Sequence, residues 1–205
     1  MTLARKLAAS WMQLGWFTSE STILAHERMP EAEVSLRLAI HLITSGRAVG
    51  GVTVAIDGAQ VKTGETIHFS VVDFLRSHGW EAATIGERWQ GCYQHPSSKQ
   101  TISIHSRSGL GDVVATFADG VPFVAEAKKG PLKRSASSQE YPLLREALGQ
   151  LLTIQDVPGD AVLAVAVPHS EKFAELAFRW RAAPLVKRVG IRILTVAPDG
   201  VVAGW

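Results

Sequence analysis

Two rhythms of apolar and polar positions run along this chain. Residues 2–14 repeat with a helical period and stop at Gly15. A second helical stretch covers residues 19–45, with Ser19 or Ser21 as its cap and Pro30 dividing it. Pro30 opens a new helix whose first turn carries Glu31 and Glu33, where acids oppose the helix dipole. Gly46 and the Gly50-Gly51 pair end it. The rhythm then changes: Val52, Val54 and Ile56 alternate with small or polar residues, and Asp57-Gly58 reads as a hairpin turn. Residues 1–62 therefore read as an N-terminal helical unit with a small β-hairpin.

Residues 63–205 follow a more regular plan and read as a second unit. Glu65 to His78 has a helical stripe of Ile67, Val71, Phe74, Leu75 and His78, ended by Gly79. Residues 81–88 and 101–105 are candidate strands. Two apolar runs, 112–118 and 121–128, form a hairpin. A basic, small-residue loop over 129–138 leads into a helix at 139–154. Residues 161–167 are apolar throughout, which marks a strand buried on both faces. A helix starting near Ser170 and a strand at 191–196 complete the pattern. This order predicts an α/β fold with a mixed sheet flanked by helices.

The hairpin carries unusual charges. Asp112 opens its first strand, and Glu126 and Lys128 close the second. Strand side chains alternate faces, so Glu126 and Lys128 share one face and Ala127 takes the other. A two-residue turn at Asp119-Gly120 would set Asp112 opposite Ala127. A three-residue turn, Ala118-Asp119-Gly120, would pair Phe117 with Val121 and set Asp112 opposite Glu126. The longer turn needs a left-handed final residue, and Gly120 supplies it. Two facing carboxylates repel unless a cation lies between them. Oxygen-only donors favour Mg²⁺ or Mn²⁺ over Zn²⁺.

Composition adds limits. The apolar fraction of 46% suits a soluble globular protein, and a single cysteine, Cys92, excludes an internal disulfide or a cysteine zinc cluster and suits a reducing cytoplasm. Arg5 and Lys6 before Leu7-Ala8-Ala9 faintly resemble a signal peptide, but Ser10 and Gln13 interrupt the run. No stretch is long and apolar enough for a bilayer-spanning helix. The formal net charge of +2 makes no case for nucleic acid alone. Lys129, Lys133 and Arg134, beside Lys128, form a local basic loop suited to a phosphate backbone.

In these residues the chain resembles the PD-(D/E)XK nuclease superfamily, with its restriction-endonuclease-like fold. The resemblance spans about Gly64 to Val196. Asp112 matches the first acid, Glu126 the second and Lys128 the lysine, with Gly111 where proline is usual. Phe69 to Trp80 resembles the opening helix, on which many members carry a metal-supporting glutamate; Glu65 or His68 is nearest. Arg145 to Leu152 resembles the Gln-x-x-x-Tyr helix of the RecB-like branch, with Gln150 as the glutamine and Ile154 in place of the tyrosine.

The resemblance implies a metal-dependent nuclease, acting on DNA. Asp112, Glu126 and the Ala127 carbonyl would hold Mg²⁺ or Mn²⁺. Lys128 would orient or help deprotonate the attacking water, a lysine near a cation losing its proton more easily. Gln150 would steady the water or the lysine. The alternative is an inactive module of the same fold, used in nucleic-acid binding or assembly. Trp11, Trp16 and Phe17 suit a core or a homodimer contact. Of His68, His78 and His105, none has zinc-ligand spacing, and His105 is the best outside candidate near the site.

Overall fold

The computed structural model describes residues 27–85, 88–107, 109–133 and 139–205. The helices expected at 2–14 and from residue 19, the aromatic residues Trp11, Trp16 and Phe17, and Arg134 lie outside the described residues. The elements follow in this order: β1 (Arg28–Met29), α1 (Glu31–Thr44), β2 (Ala48–Ala55), α2 (Gly58–Val61), β3 (Lys62–Thr63), β4 (Thr66–Ile67) and α3 (Val71–Ser77). Then come β5 (Glu81–Ile85), β6 (Gly91–Gln94), β7 (Thr101–His105), β8 (Val113–Phe117), β9 (Pro122–Ala127) and β10 (Gly130–Pro131). The chain continues through α4 (Glu140–Leu152), β11 (Val162–Pro168), α5 (Glu171–Arg181), α6 (Pro184–Val189), β12 (Arg192–Val196) and β13 (Val202–Ala203).

One mixed sheet organises the fold. Its nine described strands run in the order β13-β12-β11-β9-β8-β2-β7-β6-β5. β8 runs antiparallel to both of its neighbours, β2 and β9, while β11 runs parallel to β9 and β12 parallel to β11. On one face lie Val52, Val54, Ile56, Val113, Ala125, Ala127, Ala164 and Ala166, buried in the same core as the apolar residues of α1. On the other face Val165 and Val167 are buried against Leu144, Ala147 and Leu151 of α4 and Phe173 and Leu176 of α5. The expected α/β architecture with a large mixed sheet flanked by helices is therefore present. No described helix is long and apolar enough to cross a membrane.

Several local expectations change. Residues 31–61 do not stand apart: α1 and β2 share the sheet and the core of the remainder. The hydrophobic requirement explains this, because α1 buries Ala32, Val34, Leu36, Leu38, Ala39 and Leu42 and needs a sheet to cover them. Asp57-Gly58 forms no hairpin. The Asp57 side chain accepts a hydrogen bond from the Ala59 N–H at 3.0 Å and caps α2. Between β2 and β8 the chain inserts β3 to β7. The predicted helix at 65–78 begins only at Val71, where Ser70 accepts from the Asp73 N–H, and residues 62–67 form a two-stranded ribbon turning at Gly64.

Candidate metal and phosphodiester site

The β8–β9 turn has three residues. The Phe117 N–H donates to the Val121 carbonyl at 2.8 Å, and Gly120 takes φ +86°. Val113 then pairs with Ala125 and Val114 with Val124, which sets Asp112 beside Glu126. The Asp112 carbonyl accepts from the Ala55 N–H at 2.8 Å, anchoring the start of β8 to the end of β2. Its side chain accepts from the Ala127 N–H at 2.8 Å. Gly111 is required immediately before it. A Cβ there would stand 2.9 Å from both the Ala125 carbonyl oxygen and Val124 Cγ1.

Lys128 is 4% exposed, an uncommon state for a lysine. Its N–H donates to the Ala166 carbonyl, which fastens it to β11. Its Nζ lies 3.1 Å from Glu126 Oε1 and 3.5 Å from Glu146 Oε1 of α4. Burial alone would lower its pKa, but Glu31, Glu126 and Glu146 outweigh burial and the net shift is upward. Lys128 is therefore an ammonium in the metal-free protein.

The two carboxyls are strained by their surroundings. Burial pushes Asp112 up to about 7 from 3.8, helped by the charges of Glu126 and Glu31, while the Ala127 N–H and Lys128 pull the other way. Burial also raises Glu126, with Lys128 opposing and Glu31 and Glu146 adding to the rise.

Glu31 is the residue that sequence reasoning missed. It is the first residue of α1, and its Oε1 accepts from Gln60 Nε2 at 2.8 Å while Oε2 accepts from the Lys129 N–H at 3.4 Å. Its charge acts on Asp112, Glu126 and Lys128 together. The sequence held a signal, an acid right after a helix-opening proline, but it was assigned to the dipole alone. An open cleft of about 570 Å³, lined by Arg28, Glu31, Gln60, His68 and Lys129 among others, adjoins this group without being lined by Asp112, Glu126 or Lys128.

The other expected residues divide. Ala127 is buried, with its N–H on Asp112. Lys129 and Lys133 are exposed, and Lys129 lines the cleft with its N–H on Glu31. Gln150 is exposed near the end of α4, and Glu146, one turn earlier, is the side chain of that helix that reaches Lys128. Glu65 is fully exposed and pairs with Lys62, away from Asp112, whereas the exposed His68 lines the cleft. Among the described residues no three His, Cys, Asp or Glu side chains group closely enough to hold a metal ion by themselves. Comparison with protein-family models, curated proteins and solved structures finds no match to this chain.

Proposed function

We propose that this protein is a divalent-metal-dependent nuclease of the PD-(D/E)XK kind, hydrolysing phosphodiester bonds of nucleic acid, with DNA as substrate. One observation carries the reading: Asp112 and Glu126 stand side by side on adjacent strands, with the buried Lys128 ammonium 3.1 Å from Glu126. The order of parts supports it, with α1 rather than the 69–80 segment as the opening helix. After α1 come β8 with its leading acid, β9 with Glu126-x-Lys128, and α4.

The donor set fits Mg²⁺ or Mn²⁺. Two carboxyls both raised by burial, one also raised by its neighbour, are relieved by a cation, and Mg²⁺ takes one or two carboxylates while keeping several waters. Asp112, Glu126 and the Ala127 carbonyl would hold it, and Glu31 would add charge from α1. When bound there, the ion would supply the positive charge that polarises a phosphate and acidifies a water. Lys128, an ammonium in the metal-free protein, would donate hydrogen bonds to the phosphate oxygens as negative charge builds on them. A water oxygen bonds to phosphorus and gives up one proton to solvent, one ester P–O bond breaks, and the leaving alkoxide takes a proton from solvent. Lys129 and Lys133, both exposed, suit the flanking strand.

The test is cleavage of plasmid and labelled oligonucleotides with Mg²⁺ or Mn²⁺. Glu126→Ala and Lys128→Ala should each lower the rate about a hundredfold or more. Equal cleavage by wild type and variants would overturn the reading. The inactive-module alternative draws on the two carboxylates already occupying Lys128. Oligonucleotide binding with neither cleavage nor heat from Mn²⁺ would establish it.

A further inference from the structure

The side chains beside Asp112 form a row across the sheet. In register, His105 of β7 pairs with Ala55 of β2, and Val54 of β2 pairs with Val113 of β8, which brings Ala55 beside Asp112. Asp112 stands beside Glu126, and Glu126 pairs with Val165. Registered neighbours share a face, so His105, Ala55, Asp112 and Glu126 all project from the same side of the sheet.

Among the described elements, helices cover one end of this face. α4 packs on β9 and β11, and α5 on β12. On β2 and β7 the inward residues Val52, Val54, Ile102 and Ile104 are buried, whereas Thr53, Ala55, Thr101, Ser103 and His105 on the other side are only half-buried. Strands lie about 4.8 Å apart, so the backbones of His105 and Asp112 are separated by about 10 Å. Ala55, with a single methyl, is the strand residue between them. A larger side chain at position 55 would close the interval.

His105 has unmet polar capacity. Its Nδ1 is buried without a hydrogen-bond partner, and its other ring nitrogen has none among the described residues. A buried polar atom left unpaired calls for an explanation. The hydroxyls of Thr53 and Ser103 lie next along the same face, neutral donors of the kind that meet phosphate oxygens.

We infer that His105 is a phosphate-binding residue: its imidazole donates to a phosphate of the nucleic-acid strand laid over Ala55, next to the phosphodiester at Asp112 and Glu126. The inference rests on the nuclease reading for the identity of the strand, but not for its test. The ligand class is a phosphodiester chain, and inorganic phosphate presents the same oxygens.

The experiment uses the full-length protein in EDTA. Histidine ring signals are followed by NMR during titration with inorganic phosphate and with a 5′-phosphorylated thymidine trinucleotide. The His105 signals should shift and saturate with both. His105→Ala should weaken trinucleotide binding about tenfold, the loss of one hydrogen bond to a charged group, and His105→Gln should recover most of it. Ala55→Leu should block the shift while circular dichroism stays unchanged. Unmoved His105 signals, or equal losses for the Ala and Gln variants, would overturn the inference. Trinucleotide binding through His105 in a protein that cuts nothing would uphold it and sink the nuclease reading. Cleavage that needs Glu126 but is indifferent to His105→Ala would do the reverse.

Discussion

Asp112→Asn should make the metal-free protein more stable, and only above a definable pH. Asp112 moves from 3.8 to about 7 on folding. Between those values the folded protein keeps a proton that the unfolded chain has released, so stability falls as pH rises through the window. Above pH 7 the full cost stands, and at about 1.4 kcal/mol per tenfold it reaches about 4 kcal/mol. Asparagine carries no charge, and its side-chain oxygen still accepts from the Ala127 N–H. Glu126 is raised by its own burial, with Glu31 and Glu146 adding to the rise, and that cost stays in the variant. A gain of about 2–4 kcal/mol at pH 8 is expected, shrinking to about 1 kcal/mol at pH 4.5. Urea unfolding in EDTA at both pH values measures it. Mg²⁺ should then stabilise wild type at pH 8 and barely affect the variant. A variant no more stable than wild type at pH 8, or a gap of equal size at both pH values, refutes the reasoning.

Two further outcomes concern the frame of the site. Gly111→Ala drives a Cβ against the Ala125 carbonyl and Val124, and a backbone atom cannot swing aside as a side-chain end can. The urea midpoint should fall, corresponding to about 1–3 kcal/mol, and an unchanged midpoint would contradict this contact. Glu31→Gln keeps a group able to meet Gln60 and Lys129 but removes the charge. Calorimetry should show Mn²⁺ binding weakened about tenfold, and equal affinity would exclude Glu31 from the site.

The central hairpin was legible because local chemistry fixes it. Alternation defines both strands, and a glycine in the right place selects the turn and hence the register. The helix that opens the site was not legible. α1 and β2 lie next to β8 in space but are separated from it in sequence by β3 to β7. Counting back from β8 along the chain, the 69–80 segment comes before α1 is reached. Asp57 misled for another reason: an aspartate before glycine serves equally as a turn residue and as a helix cap, and tertiary context chooses. Glu146, one turn before Gln150, is the α4 side chain that meets Lys128. The pattern shows that α4 is amphipathic, but not where along its length it crosses the end of β9. Short β6, with Gly91, Cys92 and Gln94 around the buried Tyr93, had too little apolar rhythm to be seen.

The β8–β9 turn carries a constraint that its exposure conceals. Ala118, Asp119 and Gly120 face solvent, and by contact alone they look replaceable. Their number is not. Removing one residue while the turn stays three long draws Val121 into it, so that the leading carboxylate meets Ala127 and points into the apolar layer beneath α1. Relatives of this chain that keep both acids should therefore vary at the first two positions of this loop while keeping its glycine and its length.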